Sequence, residues 1–158
     1  MSLPTRTVNP VCYHVDKCIG SHRVLFYMDF FAISALVNAI TSTILGSIVF
    51  ARDTQNRLYG VFSLFAFSVA TWSTFYLLWQ VANSELLATQ FIRLFMAAAV
   101  FIPFFYFHFV TIFTKQERAL QVPIIMGYVA AGMFAGLSFT NLFITGVEPK
   151  GGFVYWPT

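Results

Sequence analysis

Four long stretches of this sequence carry almost no charge, and they restrict the chain to folds that belong in a membrane. The stretches run roughly over residues 29–52, 57–85, 93–115 and 118–148. As an α-helix, each has the roughly 20 residues needed to cross a hydrocarbon layer of about 30 Å. Only a few polar residues connect them, so these 158 residues leave no room for a soluble catalytic domain.

The composition excludes an ordinary soluble domain and favours helices over strands. Hydrophobic residues make up 58% of the chain and charged residues 9%, whereas soluble domains carry about 25% charged residues. In lipid, an α-helix satisfies its own backbone hydrogen bonds. The alternating segments of about ten residues that a membrane β-barrel requires are not visible. We therefore predict an all-α polytopic membrane protein with four transmembrane helices in an up-down bundle.

The predicted transmembrane domain covers residues 26–148, between an N-terminal extramembrane segment (1–25) and a C-terminal one (149–158). The first segment lacks an apolar stretch long enough for a cleavable signal peptide, so the first helix is expected to direct membrane insertion. The four helices are expected at about residues 28–51, 58–82, 88–113 and 120–146.

The N-terminal segment contains Cys12, His14 and Cys18, which together suggest a metal site. Zinc sites normally use four ligands in two close pairs, and a fourth is missing here unless His22 serves. We therefore predict no metal. Two free thiols are the favoured interpretation, and a disulfide between the cysteines stays open if this end faces an oxidising compartment.

The charges give a weak indication of orientation. The net charge of +3 is scattered, so we expect attraction to anionic lipid headgroups and no nucleic-acid partner. The connectors at 52–57 and 115–118 each carry two positive charges, whereas the connector at 83–89 is not basic. The positive-inside rule then places the first two connectors in the cytoplasm and the N-terminus outside. The basic N-terminal segment favours the opposite orientation.

Small residues recur at helical spacing within the first and fourth predicted helices. Such faces allow helices to approach closely. Packing within the bundle is the favoured interpretation, and a homodimer interface, a protein partner or a ligand cleft are the alternatives. The series are Ser34, Asn38, Ser42 and Gly46 in the first helix, and Gly127, Ala131 and Ala135 with Gly132 and Gly136 in the fourth.

The third predicted helix holds the densest candidate chemistry. Pro103 removes a backbone donor within the aromatic stretch 101–109, and His108 is the only histidine inside a predicted span. Ionisable residues within membranes often mark functional sites, although packing and hydrogen bonding explain most such residues. An aromatic face on the second helix can line an apolar pocket. The candidate ligand-binding residues are Trp72, Tyr76, Arg93, Phe104 and His108.

The sequence lacks the residue patterns of the common enzyme and carrier classes. It shows no Ser/His/Asp or Cys/His set, no P-loop and no dinucleotide fingerprint. A membrane haem commonly needs paired histidines, and only His108 qualifies. Every carboxylate lies at a span boundary or in a connector, which disfavours a proton-coupled transporter. We therefore expect no enzyme activity and no cofactor.

From about Arg52 to Thr158 the chain resembles the N-terminal seven-transmembrane sensory region of bacterial sensor histidine kinases. The resemblance covers about two-thirds of the sequence. Its elements are individually weak, and their order and spacing carry it. They are Arg52 with Asn56, Ala70-Thr71-Trp72, Ala88 with Arg93, Pro103 with His108-Phe109, Gly146-Val147, and the run from Gly152 to Trp156.

The resemblance implies a sensory module in the bacterial inner membrane, with the N-terminus outside and seven helices leading to a cytoplasmic signalling domain. This sequence has only the first four helices, and no phosphoacceptor helix or ATP-binding domain fits within it. The favoured hypothesis is a signal-input domain that binds a small apolar or amphipathic signal and passes a helix rearrangement to a partner or C-terminal domain. The alternative is a structural or accessory subunit of a larger membrane complex.

Overall fold

The computed structural model describes residues 15–140, 144, 146–150 and 153–157, with side chains at 30–140, 144, 146 and 147. The predictions for Cys12 and His14, and those for the side chains of Cys18 and His22, lie outside the described residues.

The described residues form four α-helices followed by a small β-hairpin. Each helix contains a stretch that is long and apolar enough to cross a membrane, which in α1 is Phe30–Arg52. The predicted all-α membrane fold is therefore confirmed. The helices are α1 (Val15–Arg52), α2 (Arg57–Gln80), α3 (Glu85–Phe113) and α4 (Gln121–Ser138), and the strands are β1 (Val147–Lys150) and β2 (Phe153–Pro157).

Short polar residues begin the two central helices. The side chain of Asn56 accepts a hydrogen bond from the backbone N–H of Leu58 at 3.0 Å, and Ser84 caps α3 in the same way. Such caps satisfy backbone donors that the first helical turn leaves free. The residue before α4, Leu120, gives no side-chain cap. There Pro123 lies in the first turn, where its missing N–H removes one of those free donors.

The fourth helix is shorter than the predicted interval of about 120–146, because it ends at Ser138. Turn-type bonds close it, with the N–H of Phe139 donating to Gly136 and that of Thr140 to Leu137. The apolar sequence continues past this point, so hydropathy alone did not mark the end. The antiparallel strands β1 and β2 follow, and they pair Val147 with Pro157.

Each helix packs on the next in sequence order, α1 on α2, α2 on α3 and α3 on α4. The predicted small-residue face of α1 is used for its contact with α2. Asn38 Nδ2 donates to Ser73 Oγ at 2.7 Å, and Ser63 Oγ donates to the carbonyl of Gly46 at 3.0 Å. A Cβ atom added to Gly46 would lie 3.1 Å from the Cβ of Ala66, so the backbones approach closely here.

The small residues of α4 divide between two faces. Ala131 is completely buried, and a Cβ atom on Gly127 would lie 2.6 Å from Cδ1 of Phe104 on α3. By contrast, Cβ atoms on Gly132 or Gly136 would meet nothing within 4 Å. One predicted series therefore packs within the protein, and the other faces outward.

The N-terminal end of α3, away from the Gly127–Phe104 contact, holds the main hydrophobic cluster among the described residues. It joins the end of α2 and the beginning of α3 to two positions that follow α4. Because Ile144 and Val147 belong to it, the chain after α4 returns to pack against α3. The buried members are Trp79, Ala88, Ile92, Phe95, Ile144 and Val147.

The Gly127–Phe104 contact gives a packing test. We expect Gly127→Leu to lower the free energy of unfolding by about 1–3 kcal/mol, since the added side chain must displace the Phe104 ring. Gly132→Leu is the matched control on the outward face of the same helix and should change stability by less than about 0.5 kcal/mol. Unfolding by denaturant in detergent micelles measures both. Equal losses in the two variants would contradict the packing described.

Candidate ligand-binding cleft

The structure divides the five predicted ligand residues between the two ends of α3. Fifteen residues separate Arg93 from His108, a rise of about 22 Å along a helix. Trp72, Tyr76 and Arg93 belong to the end that carries the hydrophobic cluster. Phe104 and His108 belong to the end near the α3–α4 connector. A single site containing all five is therefore not formed by this arrangement.

At the first end, the aromatic residues pack against one another. Trp72 and Tyr76 stack with ring centroids 5.7 Å apart, and the Tyr76 ring meets the edge of Phe95 at 5.9 Å. Tyr76 also contacts Trp79. These rings pack against the hydrophobic cluster. They do not line the cleft at the other end of α3.

Arg93 connects α3 to the chain that follows α4. Its Nη1 donates to the carbonyl of Phe139, and its Nη2 donates to the carbonyl of Ile144, both at 3.3 Å. Phe139 is the C-cap of α4, and a helix C-terminus attracts a positive charge. Arg93 therefore holds this end of α4 against α3.

At the second end, a hydrogen bond joins α3 to α4. The Nδ1 atom of His108 and the hydroxyl of Tyr128 lie 2.8 Å apart. If the imidazole proton is on Nε2, Nδ1 accepts from the phenol and the Nε2–H faces the carboxylate of Glu117. The Nε2 atom is buried and lies 3.9 Å from Oε1 of Glu117, which is too long for a hydrogen bond.

Glu117 also forms an ion pair with Arg57, the first residue of α2. The α3–α4 connector is thereby tied to α2 as well as to His108. The ion pair and the His108–Tyr128 bond bring residues of α2, α3, α4 and the connector to one place. We call this group, Arg57, His108, Glu117 and Tyr128, the polar cluster.

The polar cluster surrounds a cleft of about 510 Å³ at the connector end of the helices. Its volume is in the usual range for small-molecule pockets. The side chain of Ile124 forms a buried apolar wall. The polar residues that line the cleft are Arg57, His108, Glu117, Arg118, Gln121 and Tyr128.

The end of α3 explains how Glu117 reaches this cleft. The N–H of Lys115 donates to the carbonyl of Ile112, and that of Gln116 donates to Thr111, the bonding pattern of a Schellman C-cap. Lys115 takes the left-handed conformation, with φ of 58°, where glycine is usually preferred. The chain reverses within these residues, and Glu117 then lies beside Arg57 and His108.

His108 was named as a candidate from the sequence, but the residues that surround it in the cleft were not. Arg57 and Arg118 entered only as connector charges for the membrane orientation, and Glu117 only as a carboxylate outside the spans. Gln121, Ile124 and Tyr128 recur at helical spacing and so share a face of α4, which is a signal that was present in the sequence. Their meeting with His108 depends on the connector geometry and cannot be read from spacing.

The lining of the cleft can bind a polar ligand through charges and hydrogen bonds. It offers two guanidinium groups, one carboxylate, an imidazole, a phenol and an amide. Over the residues that the structure describes, no three His, Cys, Asp or Glu side chains are grouped to hold a metal ion.

Comparison with family models, with curated proteins and with solved structures gives no match for this chain. No family is therefore identified. The four membrane-spanning helices show a multi-pass membrane protein in contact with the lipid bilayer.

The Arg93 contacts give a test of how α4 is held. Charge-assisted hydrogen bonds contribute about 1.5–3 kcal/mol each, so Arg93→Met should speed amide exchange in residues 139–150 at least about tenfold. Hydrogen–deuterium exchange followed by mass spectrometry measures this. Lys115→Met is the control for loss of a positive charge at the other end of α3. Unchanged exchange in Arg93→Met would show that Arg93 does not anchor this segment.

Proposed function

We propose that this chain is a membrane-embedded signal-input domain, in which a small amphipathic signal bound in the cleft changes the packing of α4 against α3. The observation that carries the proposal is the polar cluster, which joins three helices around a cleft at one end of the bundle. The resemblance to the sensory region of histidine kinases supports the same role.

The two ends of α4 are held differently, and this difference suggests how a signal would act. Near Ser138, Arg93 and the hydrophobic cluster fix the chain that follows α4. Near Gln121, α4 packs on α3 through Gly127 against Phe104 and Tyr128 against Phe105, and the hydrogen bond between His108 and Tyr128 is the polar contact between the two helices there. Hydrogen bonds between transmembrane helices contribute only about 0.6 kcal/mol on average. A ligand that competes for this bond would weaken the contact at this end of α4, while Arg93 still holds the other end.

A signal can act only if it binds one helix arrangement more tightly than the other. The His108–Tyr128 bond supplies such a difference, because a ligand that accepts from the Tyr128 hydroxyl in place of Nδ1 of His108 favours the arrangement in which the two side chains are apart. Helix shifts of this type typically measure about 1–2 Å. The movement would pass to a partner or to a C-terminal signalling domain.

A second proposal, an accessory subunit of a membrane complex, is favoured by the outward face of α4. Cβ atoms added to Gly132 or Gly136 would meet nothing within 4 Å, and exposed small residues at this spacing suit helix association. A subunit would co-migrate with stable partners on purification from native membranes. In such a subunit, substitutions in the polar cluster would leave the distances between its helices unchanged.

Electron-spin distance measurements test the signal-input proposal. Labels at Leu64 and Met126, on outward faces of α2 and α4, report on the cleft end in a chain whose cysteines are replaced by serine. Tyr128→Phe removes the hydroxyl and stands in for a competing ligand. We expect it to shift or broaden this distance by about 2 Å.

A second label pair, at Val81 and Leu137, is the control at the end held by Arg93 and should not change. Equal changes in both pairs would show a loss of folding instead of a local release. An unchanged Leu64–Met126 distance would contradict the signal-input mechanism and favour the accessory subunit.

A further inference from the structure

We propose that the cleft binds the acidic head of an amphiphile, a carboxylate or phosphate carried on an acyl chain. This proposal rests on the proposed signal-input function for its consequence, because Tyr128 lines the cleft and an anionic oxygen there would compete with Nδ1 of His108 for its hydroxyl. The ligand class itself is argued from the charges, the hydrogen-bond donors and the apolar walls of the cleft.

The charges around the cleft favour an anion. Arg57 is neutralised by its ion pair with Glu117, the only carboxylate among the described residues that line the cleft. Arg118 also lines it, is exposed, and has no ion-pair partner among the side chains described from residue 30 to 140. The cleft thus retains one guanidinium group that a carboxylate or phosphate can pair with directly.

The hydrogen-bond donors of the cleft also favour an anion. Nε2 of His108 is buried and has no hydrogen-bond partner within the part of the chain that the structure describes. A buried polar atom of this kind usually has a partner. An anionic oxygen in the cleft would accept from this nitrogen, with the Gln121 amide as a further donor along the wall.

The apolar part of the cleft explains why the anion should carry a chain. Ile124 is buried, whereas Ile125 is exposed and also lines the cleft. Exposed apolar residues continue from there along α4, at Met126 and Val129. In a membrane this surface lies against lipid, so a chain attached to the anionic head can leave the cleft along it.

The surrounding surface would also concentrate such a ligand. The connectors 52–57 and 115–118 carry four positive side chains against two carboxylates. The Arg57–Glu117 ion pair shows that both connectors lie at this end of the helices. Basic clusters at helix ends attract anionic headgroups.

A matched set of probes tests the ligand class by native mass spectrometry of the protein released from a neutral detergent. The probes are dodecanoate and dodecyl phosphate, with dodecanol as the uncharged chain and inorganic phosphate as the free anion. We expect the two acidic amphiphiles to bind at least about tenfold more tightly than either dodecanol or phosphate alone, because only they use both parts of the cleft.

Substitutions locate the binding. Arg118→Gln removes the unpaired guanidinium and should raise the Kd for dodecanoate about tenfold. Arg52→Gln removes an exposed charge from the other connector at this end of the helices, does not change the cleft lining, and should leave Kd within about twofold. Equal effects of the two variants would overturn the assignment of the site, as would equal binding of dodecanol. Equally tight binding of inorganic phosphate would show a free-anion site and overturn the amphiphile.

The outcomes separate this inference from the proposed function. If dodecanoate binds through Arg118 but leaves the Leu64–Met126 distance unchanged, the ligand class stands and the signal-input role is contradicted. If Tyr128→Phe shifts that distance but the acidic amphiphiles do not bind, the proposal that α4 can move stands and the ligand class is contradicted.

Discussion

A hydrocarbon layer offers no hydrogen bonds, and the architecture of this protein follows from that constraint. Each spanning segment must satisfy its backbone internally, which makes it a helix. Because lipid is as apolar as leucine, the helices then associate through close packing and a few polar contacts. Gly46 and Gly127 provide the close approaches, and Asn38 with Ser73 provides one of the polar contacts.

The polar contacts on which the proposed function depends are at the two ends of α3. At one end, the two bonds from Arg93 and a hydrophobic cluster hold the chain that follows α4. At the other end, His108 meets Tyr128 in a cleft that Glu117 and its ion pair partly enclose. Both ends of α4 pack on the bundle, but only the connector end has its polar contact inside a cleft, where a ligand can compete for it. This asymmetry is the physical basis of the proposed response to a signal.

The fold was predictable from the sequence because the strongest pattern, the long uncharged runs, follows directly from the hydrocarbon surroundings of the helices. Uncharged runs of membrane length identified all four helices, and helical spacing identified Gly46 and Gly127 as small-residue positions. The end of α4 and the β-hairpin, which depend on local turn formation, were not predicted. Hydropathy continued past Ser138, and the hairpin was missed although two glycines separate β1 and β2, a spacing that is typical of a tight turn.

The candidate site was only partly predictable, for a different reason. His108 was visible as an ionisable residue within a span. Glu117 reaches it because Lys115 adopts a left-handed conformation that its residue type does not favour. Arg57 comes from another helix altogether. Contacts of this kind depend on how connectors fold back over helix ends, and single-sequence spacing contains no information on that. Trp72 and Tyr76, chosen for their aromatic face, lie instead among the packed rings near Phe95.

The His108–Tyr128 bond joins the connector ends of α3 and α4. A double-mutant cycle with His108→Leu, Tyr128→Phe and the double variant measures its strength, with the free energy of unfolding determined in a bilayer. We expect a coupling energy of about 0.5–1.7 kcal/mol in favour of the pair. A coupling energy of zero, with the two single losses simply adding, would show that this bond does not hold the two helices together.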